Sequence, residues 1–238
     1  KALRDGQQLT REELAFVLAK AKIGAIDNLR RAHLMMRAEL DAVVVSGARR
    51  GKQFTYALLD ERAPSGLKFT HEEALAELTR RYLRSRGPAT AADFAWWSGL
   101  TLTEARRGFA TVQSEFEQAV LEGEIYWFPS SPPIKSTAKP TAHWLATYDE
   151  YLIGYKDRSA AVQPEDAQQI IGGEVFTSTC LVNGKVVGVW KRTLLKNEAF
   201  IEMTGFTSLR AADSKALVKA TEGYSRFLGL PIKLQQNT

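Results

Sequence analysis

One cysteine, Cys180, occurs in 238 residues. A single thiol closes no internal disulfide, and no Cys/His pairs stand at zinc spacing, so neither staple is expected to hold the fold. His33, His71 and His143 are dispersed and form no HxxxH-type pair. No apolar run approaches the ~20 residues that span a bilayer, and no signal-peptide pattern precedes the first residue, Lys1. G-x-S-x-G, the Walker loop, G-x-G-x-x-G and H-E-x-x-H are all missing. The residues alone announce no enzyme, no cofactor and no metal. They suit a monomer in a reducing cytoplasm with no membrane attachment.

What is present is an ordinary globular composition, 45% apolar and 25% charged, with a cationic excess of +5. Such an excess favours a polyanionic partner, because phosphate contacts release counterions. The excess is modest and does not decide the matter.

The expected fold class is α+β: tandem winged helix-turn-helix units, then a β-rich, barrel-like meander with a terminal helix. In residues 1–64, Thr10 and Glu13 stand at capping-box spacing before "REELAFVLAKAK". Gly24 interrupts, and Asp27 caps "NLRRAHLMMRAELD". "AVVVSG" and "FTYALL" then read as strands around the basic turn "ARRGKQ". Residues 65–133 repeat the order. Thr70 and Glu73 open a long helix stopped by Gly87, Thr90 opens a short one, and Thr101 with Glu104 caps "LTEARRGFATVQSEF". "AVLEGEIYWFP" folds back at Glu-Gly. The stretch around 134–140 is rich in Pro, Ser and Lys and reads as a linker. Residues 141–238 carry a hairpin signal at Asn183-Gly184, a meander through "AFIEMTGF", and a last helix with Leu217, Ala220, Tyr224 and Phe227 on one face.

Candidate DNA contacts follow from this layout. Arg49, Arg50 and Lys52 crowd a hairpin tip where a wing reaches phosphates or a minor groove. Arg30 and Arg37 lie on the second helix away from an apolar stripe of Leu29, Met36 and Leu40, with His33 and Met35 read as packing. On the helix after Thr101, the stripe Leu102, Ala105, Phe109, Val112 and Phe116 leaves Arg106 and Arg107 outward, where a recognition helix meets DNA. A solvated surface is the plain alternative for every one of them. Lys191 and Arg192 fall near one end of the meander, on opposite strand faces. The adjacent Trp96 and Trp97 suit packing better than base stacking. The acids of "YDEYLIGYKDR", Asp149, Glu150 and Asp157, suit capping and tyrosine hydrogen bonds better than catalysis.

Four segments, "SGARRGKQFTYALLDER", "RYLRSRGPATAADFAWWSGLTLTEAR", "YDEYLIGYKDRS" and "VVGVWKRTL", together resemble a bacterial family of winged-helix DNA-binding-domain proteins. That family includes the alkylpurine and interstrand-crosslink DNA glycosylases of the azinomycin-resistance type. The resemblance implies a C-shaped array of winged helices with a β-barrel-like C-terminal region, double-stranded DNA as partner, and a basic hairpin engaging it. It also implies an N-terminal Gln-x-Gln that positions the attacking water. This chain has Gln7-Gln8, Gln168-Gln169 and Gln235-Gln236 but no Gln-x-Gln. Lys1 matches the middle of the family pattern, so about one winged-helix unit of that pattern is missing from this sequence, either lying upstream or never present, and in both cases no catalytic residue is assigned here. The leading expectation is duplex DNA binding linked to repair. Purine excision by a glycosylase whose Gln-x-Gln lies upstream, and a protein-interaction scaffold, stand beside it.

Overall fold

The computed structural model describes residues 1–23, 27–64, 66, 68–130, 139–172 and 175–237. Gly24 and residues 131–138, which include most of the expected linker 134–140, lie outside them. Two compact units emerge, Lys1–Phe69 and Thr70–Thr238.

In the first unit, strand β1 (Leu9–Thr10) leads into α1 (Arg11–Lys20) and α2 (Asn28–Leu40), followed by β2 (Val44–Ser46), β3 (Thr55–Leu58) and the single turn α3 (Leu59–Arg62). The caps form where the spacing places them. Thr10 accepts from the Glu13 amide while Glu13 reaches back to the Thr10 amide, and Asp27 accepts from the Arg30 amide. The strands pair antiparallel in the order β1-β3-β2. A small core gathers Leu3, Leu14, Met35, Val44 and Tyr56.

The face assigned to α2 needs correcting. Met35 is the buried residue, whereas Leu29, Met36 and Leu40 are 67%, 52% and 76% exposed and His33 is solvent-facing. Periodicity marked a real apolar stripe, but the core contacts the adjoining face of Met35 and Ala38.

The second unit begins with α4 (His71–Arg86), α5 (Ala91–Ser98) and α6 (Leu102–Thr111) and the hairpin β4 (Phe116–Leu121) and β5 (Glu124–Pro129). Each helix starts at a complete capping box, Thr70/Glu73, Thr90/Asp93 and Thr101/Glu104. Gly99 ends α5 at φ 73°, left-handed backbone that costs a glycine least. Helix α6 stops at Thr111, earlier than expected, and a short 3-10 turn delivers Phe116 to β4. Ala105, Phe109, Val112 and Phe116 are buried as the stripe requires, but Leu102 is 41% exposed. Gly108 lets α4 approach closely, since a Cβ there would stand 2.3 Å from Thr79 Oγ1.

The same unit continues through β6 (Ala142–Leu145), α7 (Glu150–Ile153), α8 (Ala167–Ile170), β7 (Ile171–Gly172), β8 (Val175–Phe176), β9 (Thr179–Val182), β10 (Lys185–Leu194), β11 (Ala199–Gly205), α9 (Ala211–Leu228) and β12 (Ile232–Asn237). Asn183 and Gly184 turn β9 into β10 with φ of 50° and 78°, as the dipeptide dictates. The expected barrel is instead an open sheet, β12-β11-β10-β9-β6, with β12 joining β11 in parallel. Among the described residues β12 and β6 do not pair, so the sheet keeps two edges. Helix α9 covers one sheet face through Leu217, against Cys180, Trp190, Ile201 and Met203. Phe227, expected on the buried face, is 82% exposed and stacks on Tyr224.

Cys180 is wholly buried in this face, and desolvation pushes its thiol up to about 12. A thiol-specific reagent at pH 8 is therefore expected to leave the native chain unmodified and to label one thiol after unfolding. Prompt labelling of the native chain would contradict this packing.

Candidate nucleic-acid interface

The cationic residues separate into those with partners and those without. In the first unit, the hairpin tip turns at Gly51 between the bridged residues Arg50 and Gln53. Arg50 donates to Glu13 Oε1 at 2.7 Å and to the Gln8 carbonyl at 2.6 Å. That contact, with the Thr10 amide as the larger cause, holds the Glu13 carboxyl below its usual range. Arg49 lies over the Phe54 ring at 4.5 Å. Arg37 pairs with Asp41 at 2.8 Å. Among the described residues, Arg30, Arg49 and Lys52 have no carboxylate partner. The pairs of Arg37 and Arg50 are solvent-exposed, so a phosphate can replace either carboxylate at little cost.

In the second unit, α6 carries Arg106 and Arg107 outward. Arg107 stands 3.4 Å from Glu72, while Arg106 has no carboxylate partner among the described residues. Glu104 is occupied by its cap, which lowers its carboxyl through hydrogen bonds from Thr101. Lys191 and Arg192 point to opposite sheet faces. Arg192 bonds the Tyr224 hydroxyl on the α9 side, and Lys191 registers opposite Glu202 on the other.

Between α6, the first turn of α5 and the β4–β5 hairpin lies an open groove of about 670 Å³. Leu102, Arg106 and Gln113 form one wall and Gln118, Glu124 and Trp127 the other, over Phe109. Sequence patterns picked out Arg106 here but missed the glutamines. They sit past the end of α6 and on a strand, and no spacing rule joins those positions.

The acids of "YDEYLIGYKDR" and the adjacent Trp96 and Trp97 serve structure. Glu150 accepts from Arg86 at 2.7 Å and from Trp97 Nε1 at 3.1 Å, and Arg86 covers the Trp97 ring. Trp96 Nε1 donates to the Ile153 carbonyl. Asp149 caps α7 and Asp157 accepts from the Ser159 amide. Tyr155 and Tyr151 donate to the carbonyls of Arg86 and Gly184. Asp93, which the sequence reading passed over, is 3% exposed and binds the Lys156 and Asp157 amides besides its own cap. Among the described residues, no group of three or more His, Cys, Asp and Glu could hold a metal ion, and no helix is long and apolar enough to cross a membrane.

Two helices, a cationic hairpin and a second helical unit with its own hairpin are the parts that the four quoted segments led us to expect. A sequence profile described as "DNA glycosylase AlkZ-like" matches residues 1–227. The chain belongs to the AlkZ-like DNA glycosylase family. Among solved structures it is similar to the Streptomyces sahachiroi DNA glycosylase AlkZ, with 23% identity and a TM-score of 0.70. The match covers 97% of this chain and 66% of that one, so this chain spans slightly less than two thirds of the AlkZ length. At that identity the likeness speaks for the fold. No curated protein matches the chain.

Proposed function

We propose that the chain binds duplex DNA through two winged helices, 1–64 and 65–133, supported by the sheet module of 141–238, as part of a DNA glycosylase. The element order supports this reading. In the first unit we read the order β1-α1-α2-β2-β3 as a helix-turn-helix with its wing at Arg49–Lys52. In the second, Ala89 bridges Trp127 just before α5, as Leu9 pairs with Tyr56 just before α1. From that bridge onward the two follow one order, α1-α2-β2-β3 and α5-α6-β4-β5, with α4 an addition in the second, and each offers an outward helix, α2 or α6, and a hairpin. The observation that carries the proposal is family membership over 1–227 together with the cations Arg30, Arg49, Lys52 and Arg106, which have no carboxylate partner among the described residues.

Excision of alkylated or crosslinked purines is the activity this reading extends to. The chain holds no Gln-x-Gln, and no residue in it is assigned to hydrolysis. Incubation with an alkylated oligonucleotide, followed by assay for released base, tests that part by itself. Binding is tested by anisotropy with a short labelled duplex across a salt series. Affinity is expected to fall steeply with salt. Replacing Arg49, Arg50 and Lys52 together by alanine is expected to reduce the log–log salt slope by roughly 2–3, about one for each lost phosphate contact. Absence of duplex binding at low salt, or an unchanged slope in the triple variant, would overturn the proposal.

A further inference from the structure

The two edges of the five-stranded sheet are finished differently. Strand β6 is four residues long and follows closely on Pro140, the short, proline-flanked kind of edge that resists further pairing. Strand β12 runs six residues, with no proline and no register shift against β11. Its one charged side chain, Lys233, is held by Glu198 at 2.7 Å. Every residue of β12 is exposed or half-buried, and β12 pairs with β11 alone among the described residues.

The backbone of β12 has a fixed sense. The Ala199 amide donates to the Pro231 carbonyl, so Pro231 faces β11. Strand alternation turns Lys233 and Gln235 the same way and aims the N–H and C=O groups of Ile232, Leu234 and Gln236 at the open edge. The side chains of Ile232 and Leu234 pack on the α9 face, while Lys233 reaches over the Phe200 ring on the other. Beside the open edge α9 leaves a groove of about 360 Å³, lined by Val218, Glu222, Ser225, Ile232 and Leu234. Val218, at its rim, is 47% exposed.

We propose that β12 pairs antiparallel with β12 of a second copy of this chain, joining two sheets into one across a two-fold axis at Leu234. The sequence of the strand is what points to a second copy. Outward-facing residues must oppose one another, so the axis must pass through a residue. At Leu234 it sets Ile232 against Gln236 and Lys233 against Gln235, and each outward-facing residue exchanges both its bonds, about six in all. An axis at Lys233 would oppose two ammonium groups, and one at Gln235 would keep only about four bonds. The Leu234 register also brings the two Leu234 side chains together on the α9 face, where the groove receives them. It concerns assembly and stands apart from DNA binding.

The test is sedimentation equilibrium of the full chain from roughly 1 to 500 μM, the range over which a small interface fills. The mass is expected to rise from one chain to two. Gln236→Pro removes an outward N–H and no bond to β11, a position where an edge strand tolerates proline. That variant is expected to keep its thermal transition, followed by tryptophan emission, and to stay at one chain throughout. Gln235 is exposed, so its charge variants test the register without disturbing the core. Gln235→Glu sets two opposite-charge pairs with Lys233 across the axis and should tighten the dimer about threefold or more, whereas Gln235→Lys should weaken it as much. Glu202, beside Gln235 in β11, is present in monomer and dimer alike and drops out of that comparison. A parent chain that stays at one chain to the highest concentration would overturn the proposal and leave the edge to a strand of another protein. A dimer that survives Gln236→Pro, or that ignores the sign of the charge at Gln235, would overturn it too, because the contact would then lie elsewhere.

Discussion

Replacing Asp93 by alanine is expected to destabilise the second unit by about 3–5 kcal/mol, the cost of leaving several buried donors without their charged acceptor. Its Oδ2 accepts from the Thr90 amide at 3.0 Å and the Thr90 hydroxyl at 2.7 Å, which closes the first turn of α5. Its Oδ1 accepts from the Lys156 amide at 2.9 Å and the Asp157 amide at 3.3 Å, which fastens the segment after α7 to that turn. One side chain, 3% exposed, thus satisfies donors from two distant parts of the sequence. Water cannot take its place without opening the junction. Trp96, Trp97, Trp127, Trp144 and Trp190 all lie beyond residue 69, so tryptophan emission during urea unfolding reads this unit alone. Asp93→Asn keeps one acceptor oxygen but turns an amide NH2 toward backbone donors, and should lose a large part of the same stability. An alanine variant within about 0.5 kcal/mol of the parent, the scale of an ordinary surface change, would show that the junction is held by something else.

Asp93 also shows what the sequence reveals and what it hides. The Thr90-x-x-Asp93 spacing is a local cap and is as legible as Thr10/Glu13, Thr70/Glu73 and Thr101/Glu104, all of which form. Its second role depends on backbone amides more than sixty positions away, and no periodicity records that. The Asn183-Gly184 turn was legible for the same local reason, since its backbone angles follow from the two residues themselves. The misread face of α2 is a different matter. Leu29, Met36 and Leu40 do line one side of a helix, but the pattern cannot say which side meets the core when Met35 and Ala38 offer another. An open sheet in place of a barrel is likewise a matter of strand pairing, since β12 at one edge and β6 at the other are not paired among the described residues. The groove was hidden most completely, because Gln113, Gln118 and Trp127 come together only once hairpin, helix and α5 turn are packed.

Phe109 joins that packing to the groove, and Phe109→Ala is expected to cost about 3–5 kcal/mol. The ring is 2% exposed, sits 5.7 Å from Phe94 and meets Trp127 edge-on at 5.4 Å. Truncation removes the contacts of a whole aromatic side chain and leaves a void that the rigid α4–α6 approach at Gly108 cannot close. The void opens under the groove floor, so Trp127 loses the ring that sets its orientation. Phe109→Leu retains most of the volume and should cost less than about 1.5 kcal/mol. The pair separates two roles. If Phe109 acts through packing alone, the leucine variant keeps both the stability and the tryptophan emission of the parent. If the edge-on contact fixes the Trp127 plane, the leucine variant stays folded but its tryptophan emission shifts. The second result is expected, because an aliphatic side chain fills the space without the quadrupole that favours the perpendicular ring. A leucine variant as unstable as the alanine variant would sink this account of the floor.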